Sequence, residues 1–183
     1  MLKFISPPGG HRLEKAITYL VRKYVEKGKN SKPVIFHSLD VAFYLLDQQY
    51  DLELAEAAIL HDLIEDAAVE KNDIALEFGE KTAGLVDALS FRDSISDREE
   101  QYREMFDRVK RAGREALIIK CADVLSNSLY IHLAGDSSKQ HFLVYKLKYF
   151  LELSKADIGK EAVWHDLKRQ YQLETRRLKR EGL

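Results

Sequence analysis

No proline follows Pro33 in a chain of 183 residues, and Pro7, Pro8 and Pro33 are the only three. A proline ring removes a backbone donor and collides with the preceding turn, so a long stretch without one is free to be helical throughout. Gly28, Gly113, Gly135 and Gly159 each follow an apolar-periodic stretch and mark helix ends. The helical period predicts helices over about 11–27, 33–48, 51–67, 72–78, 80–90, 97–112, 114–134, 139–157 and 160–180. Ser96 and Glu99 form a capping-box pattern at the head of 97–112, and Asp51 is placed to cap 51–67. No segment alternates as a strand does, and no repeat or linker divides the chain. The expected fold is all-α, a compact multi-helix bundle forming a single domain over 1–183.

The charge balance is nearly even, with 29 Lys+Arg against 30 Asp+Glu, which excludes a globally basic nucleic-acid binder. The basic end of the last helix (Arg176, Arg177, Lys179, Arg180) reads as a solvated surface. Cys121 is the single cysteine, too few for a disulfide framework or a Cys-rich zinc module. No apolar run spans a bilayer and no signal-peptide pattern opens the chain, so the expected setting is cytoplasmic, away from membranes. The distribution of charge says more than its sum. Residues 1–33 carry eight basic side chains against Glu14 and Glu26, whereas residues 51–80 carry ten acids against Lys71 alone. An acidic block can hold a cation and a basic one can hold phosphates, although solvated helix faces give the same pattern.

The chemistry concentrates in Ile59-Leu60-His61-Asp62-Leu63-Ile64-Glu65-Asp66. Four-residue spacing pairs His61 with Glu65 and Asp62 with Asp66 along one side of a helix. Ala57, Ala58, Ile59, Leu60, Leu63 and Ile64 make nearly all the rest of that helix apolar, so it is expected to be buried. Carboxylates and an imidazole on a buried helix need compensation, and a metal ion supplies it. Further ligands must come from other helices. His37 interrupts the apolar run Val34-Ile35-Phe36, and Asp123 interrupts Leu117 to Leu125. Taken singly, His37 reads more readily as a core histidine bonded to a carbonyl, and Asp123 as the partner of Lys120. The order His…His-Asp…Asp on apolar helices favours a joint role.

These residues resemble the HD-domain metal-dependent phosphohydrolases, and more narrowly the hydrolase domain of RelA/SpoT-type enzymes and its small stand-alone relatives. The resemblance runs over about residues 15–155 and rests on Lys32 to Ala42, on Ala57 to Asp66, on Glu77-Phe78-Gly79 with Leu85-Val86, and on Ile118 to Asn127. Its His-Asp-x-x-Glu-Asp element is the specific part. The resemblance implies an HD-type bundle in which His37, His61, Asp62 and Asp123 hold one divalent ion, usually manganese, with zinc and iron left open by the mixed N/O donor set. Glu65 and Asp66 are then expected to orient and deprotonate the attacking water. Lys27 and Lys29 are expected as a clamp for phosphates, with Asn127 and Tyr149 against the nucleotide. The implied reaction removes pyrophosphate from the 3′ position of guanosine tetra- or pentaphosphate, with a guanine nucleotide as the partner; oligomeric state is not set by the residues.

The chain departs from the family pattern at Ala67, where Thr is usual, at Val124, where Arg or Lys is usual, and at Ser126, where His or Tyr is usual. Ser38 replaces a proline common after the first ligand histidine. None of these removes an expected ligand or catalytic carboxylate. They keep two alternatives open: an HD nucleotidase or nucleotide phosphatase with another substrate, and a metal-stabilised nucleotide-binding module without turnover. The remaining histidines, His11, His132, His141 and His165, match no ligand position, and Cys121 reads as a small buried hydrophobe.

Overall fold

The chain opens its first helix on Pro7, where a fixed φ suits the first turn and the missing donor costs nothing. This start, four residues ahead of the expected one, is anchored by Gly10 N–H donating to the Ser6 carbonyl at 2.8 Å. Gly9 belongs here because a Cβ at that position would lie 2.5 Å from Leu52 Cδ1. The computed structural model describes residues 5–27, 33–92 and 94–182, of which Lys27 is described in its backbone only.

Among the described residues ten α-helices follow in order: α1 Pro7–Lys27, α2 Val34–Asp47, α3 Leu52–Leu60, α4 Leu63–Asp66, α5 Lys71–Phe78, α6 Glu80–Leu89, α7 Arg98–Ala112, α8 Arg114–Ser128, α9 Ser137–Ile158 and α10 Ala162–Glu181. A short 3-10 turn, Ile131–Leu133, lies between α8 and α9. No strand occurs among the described residues, so the all-α reading holds, and the helices form a single compact domain. No helix among the described residues is long and apolar enough to cross a membrane.

Helix α8 is the hub, packing against α2, α3, α6, α7, α9 and α10. Every residue from Ala116 to Val124 is buried, polar Lys120 and Asp123 included. Around it, Phe106 meets Phe150 edge-to-face at 4.9 Å, and Trp164 of α10 donates from Nε1 to the Leu151 carbonyl of α9. One buried charge ties the other side together. Glu56 of α3 accepts from Arg12 of α1 at 2.7 and 2.9 Å and from Thr82 of α6 at 2.9 Å. That fork satisfies a carboxylate only 2% exposed.

Three expectations are corrected at helix ends. The run 51–67 is two helices, because α3 stops at Leu60 and α4 restarts at Leu63. The reason is local: His61 Nδ1 bonds the Ala58 carbonyl at 2.7 Å and takes an acceptor from the helical ladder. The run 114–134 ends at Ser128, where Ser126, Asn127 and Ser128 all turn their side chains to hydrogen bonds outside the regular ladder. The cap of α7 is Asp97, whose carboxylate accepts from Glu100 N–H at 2.8 Å, one residue after the expected Ser96. Asp51 occupies the cap position of α3 without a side-chain bond. Among the expected glycine stops, Gly113 carries φ 103° between α7 and α8, a conformation other residues resist. Gly28 lies outside the described residues.

Candidate active site

Three elements bring the polar interruptions to one place. Helix α2 contributes His37, the α3–α4 junction contributes His61 and Asp62, and α8 contributes Asp123. His37 Nε2 lies 3.1 Å from Asp123 Oδ1 and 3.9 Å from Asp62 Oδ2. His61 Nε2 lies 3.0 Å from Asp62 Oδ1 and 3.6 Å from Asp123 Oδ1. All four side chains are buried.

Both imidazoles are held by the nitrogen that faces away from this cluster. His61 Nδ1 bonds the Ala58 carbonyl, and His37 Nδ1 bonds Ser126 Oγ at 3.1 Å. A carbonyl can only accept, so His61 carries a proton on Nδ1 and Nε2 is the nitrogen that faces the cluster. His61 Nε2 is buried and makes no hydrogen bond among the described residues, despite the two carboxylates beside it. A cation explains that arrangement where a hydrogen bond does not. His37, His61 and Asp123 each offer a donor atom within 4.8 Å of the others, and these three can hold a metal ion. Imidazole and carboxylate together form a donor set suited to a divalent transition ion.

The electrostatics point the same way. Burial alone depresses an imidazole, but the Asp62 and Asp123 carboxylates outweigh it and push His61 up to about 10. The carboxylates therefore demand positive charge at this spot. Burial works against ionisation of Asp123 too, yet Lys120, His37 and His61 hold it well below the usual carboxylate range. Lys120, itself 4% exposed, reaches Asp123 Oδ2 at 2.9 Å.

One turn past Asp62, Glu65 and Asp66 open onto a cavity of about 550 Å³, which Asp62, Asp123 and Asn127 also line. Burial is the main cause that raises Glu65 to about 7, against a lowering by Lys120. The backbone N–H of Phe91 donates to Glu65 Oε1 at 2.7 Å, and the Tyr24 hydroxyl donates to Asp66 Oδ2 at 3.3 Å. Burial together with Asp62 and Asp66 pushes the Tyr24 phenol up, which keeps it a donor. Asn127 Nδ2 donates to Asp123 Oδ1.

The same cavity is cationic on another side. Arg98 of α7 and Lys139 and Lys146 of α9 line it, and no carboxylate lies within ion-pair distance of these three among the described residues. Tyr102 sits between two of them. Arg98 and Lys146 lie over its ring at 4.8 and 4.5 Å. Burial raises this phenol, but the two cations outweigh it and bring the group below its ordinary value.

The expected site residues divide accordingly. His37, His61, Asp62, Asp123, Glu65, Asp66 and Asn127 come together. Tyr149 does not, lying with Phe106, Arg103 and Tyr145 in a separate shallow groove. The reason is helical phase: the cavity face of α9 runs Lys139, Leu143, Lys146, Leu147, and Tyr149 falls on the adjoining side. Lys27 closes α1, three residues after Tyr24, while its side chain and all of Lys29 lie outside the described residues. Arg98, Tyr102, Lys139 and Lys146 were not expected from the sequence. The four-residue spacing of Arg98 with Tyr102 and the 139-143-146 period were the available signals.

With this geometry established, likeness to known proteins becomes informative. A family model described as an HD domain matches residues 16–146. A Vibrio cholerae guanosine-3′,5′-bis(diphosphate) 3′-pyrophosphohydrolase is 36% identical over 145 residues, which are 75% of this chain and 21% of that protein. The Escherichia coli bifunctional (p)ppGpp synthase/hydrolase SpoT is 34% identical over 118 residues, 60% of this chain and 17% of that protein. The chain thus spans about a fifth of the length of these relatives. Among solved structures, a metazoan ortholog of SpoT described as hydrolysing ppGpp superposes with a TM-score of 0.77 at 19% identity, covering 93% of this chain and 97% of that one. The fold, the polar cluster on α2, α3–α4 and α8, and the family match over residues 16–146 agree: the chain belongs to the HD domain family.

Proposed function

We propose that this protein hydrolyses the 3′-pyrophosphate of guanosine tetra- or pentaphosphate, releasing pyrophosphate and GDP or GTP. One observation carries the reading. A buried His/Asp cluster and two further carboxylates line one part of a cavity whose other wall presents Arg98, Lys139 and Lys146, which have no carboxylate partner among the described residues. A polyphosphate needs both halves: positive charge for its oxygens and a base for the attacking water. The names of the Vibrio and Escherichia relatives supply the nucleotide.

A divalent cation, manganese in this reading, held by His37, His61, Asp62 and Asp123 supplies a Lewis acid that neutralises phosphoryl charge and makes water easier to deprotonate. The protein's own groups do the rest. Glu65, fixed by the Phe91 amide and poised near neutrality, takes the proton of the attacking water. Asp66, steadied by Tyr24, helps to orient that water. As water oxygen bonds to phosphorus, the bond to the 3′ oxygen breaks, and GDP or GTP leaves as the 3′ hydroxyl after that oxygen takes a proton from solvent. Arg98, Lys139 and Lys146 hold the remaining phosphates, and Asn127 steadies Asp123. Such a reaction belongs to the cytoplasm, where guanine nucleotides are made and consumed.

A second reading, hydrolysis of a different nucleotide polyphosphate, is favoured by Val124. This apolar side chain lines the cavity where related enzymes usually present a cation. The deciding experiment compares pyrophosphate release from guanosine tetraphosphate by manganese-loaded and metal-free protein. Release that needs manganese and disappears in Asp123→Ala supports the proposal. Manganese binding without release rejects this substrate and directs the search to other nucleotides.

A further inference from the structure

We propose that Asp40 and Ser126 are positioning residues that set the tautomer of His37 and so its ability to take a cation through Nε2. The proposal rests on the metal reading above and is independent of the substrate.

The argument is one of hydrogen-bond direction. Ser126 Oγ lies 3.0 Å from Asp40 Oδ2 and 3.1 Å from His37 Nδ1. A carboxylate only accepts, whereas a serine hydroxyl has a single proton to give. Ser126 therefore donates to Asp40, and the side of its oxygen facing His37 can only accept. That places a proton on Nδ1. With Nδ1 holding its proton, Nε2 faces Asp123 Oδ1 at 3.1 Å and is the nitrogen that an ion shared with that carboxylate would meet.

His61 reaches the same state by a different device, because its Nδ1 bonds the backbone carbonyl of Ala58. No side-chain substitution removes that acceptor. His37 has no such backbone partner among its bonds in the described residues; its two are to Ser126 and Asp123. The orientation of one ligand is thus built into the backbone, and that of the other depends on two side chains contributed by α2 and α8. His37 and Ser126 are buried while Asp40 is exposed, so the relay runs from the cluster to the surface and its outer member can be changed without opening the core.

The test uses full-length protein and Mn²⁺ alone, without nucleotide. Asp40→Ala removes the acceptor and frees the Ser126 proton to point at His37; Ser126→Ala removes the relay altogether. Metal affinity is measured by titration calorimetry, and the His37 tautomer by the imidazole ¹⁵N shifts of the metal-free protein. Outer-sphere partners of ligating histidines are worth about 10- to 100-fold in affinity. The expected result is that loss for both variants, with the proton on His37 Nδ1 lost in Asp40→Ala and thermal unfolding unchanged in that variant. An Asp40→Ala protein that binds Mn²⁺ as wild type does, with the proton still on Nδ1, overturns the proposal. Should Ser126→Ala fail to fold, Asp40→Ala at the surface decides alone. If wild-type protein binds no Mn²⁺, the metal reading fails; ¹⁵N shifts that still respond to Asp40→Ala then show the relay without its purpose, and the proposal falls with it.

Discussion

The backbone N–H of Phe91 donates to Glu65 Oε1 at 2.7 Å, which ties the loop after α6 to a carboxyl on the floor of the cavity. The bond favours the ionised form, but burial outweighs it and leaves Glu65 at about 7. A base must be ionised to accept a proton. Activity is therefore expected to rise with pH and level off, with a midpoint at or below about 7, because a bound cation offsets the Asp62 and Asp123 charges that help to raise Glu65. Glu65→Gln should lower kcat by about 10²- to 10⁴-fold while manganese binding stays as in wild type. A pH–rate profile with parallel metal titrations checks both. An unchanged kcat in the variant removes Glu65 from the chemistry.

The same shift has a sign in stability. A carboxyl whose pKa is raised by folding favours the folded state when protonated, and that contribution is lost as pH rises through about 7. Metal-free wild type should therefore lose stability relative to metal-free Glu65→Gln between about pH 5 and pH 8. Denaturant midpoints of the two proteins across that range give the difference directly. Parallel curves would mean that Glu65 is not desolvated in the folded chain.

Lys120 makes a buried ion pair with Asp123 at 2.9 Å on the hub helix. Removing one partner of such a pair leaves an uncompensated charge, at a cost of about 3–5 kcal/mol. Lys120→Met should therefore destabilise the metal-free protein by that order. Mn²⁺ binds beside Asp123 in the proposed site and adds positive charge there, so saturating metal should recover part of the loss. Urea unfolding with and without Mn²⁺ separates the two effects. Equal losses in both conditions would show that the ion does not compensate Asp123.

Much of this arrangement was legible from residues that interrupt apolar runs. His37, Asp123 and the His61-Asp62 pair each break a hydrophobic stretch, and a buried polar group advertises itself by the neighbours it lacks. The cationic wall was not legible for the opposite reason. Lys139 and Lys146 stand among charged and aromatic residues on an amphipathic helix, where a lysine reads as solvent-facing. Only packing of α9 against α7 and α8 turns that face into a cavity. The break at His61 was equally hidden, since the bond from its ring to the Ala58 carbonyl leaves no mark in the hydrophobic period.

The Arg12–Glu56 fork predicts a stability defect with no catalytic one. Glu56 is 2% exposed and relies on Arg12 for two bonds and on Thr82 for a third. Arg12→Met leaves the carboxylate buried with one neutral donor, so a loss of about 3–5 kcal/mol is expected. Because Arg12 lines no part of the cavity, turnover per folded molecule should stay at the wild-type value. Guanidinium unfolding and active-site titration measure the two quantities. A proportionate fall in turnover per folded molecule would place the α1–α3 contact in the chemistry.

The last prediction chooses between two phosphate clamps. The acidic half of the cavity repels a polyphosphate, so binding must come from cations that have no carboxylate of their own. Lys146 fits that description: it is 9% exposed, lies over Tyr102 at 4.5 Å, and has no ion-pair partner among the described residues. A charged hydrogen bond to phosphate is worth about 2 kcal/mol, or roughly 30-fold in affinity. Lys146→Met, which keeps the aliphatic stem, should therefore raise KM for guanosine tetraphosphate by about that factor with a smaller change in kcat. The Lys27→Met and Lys29→Met variants set the comparison. If Lys146 carries the clamp, its KM rises while theirs stay within about threefold of wild type. A reversed order would return the phosphates to the end of α1, beside Tyr24 and Asp66.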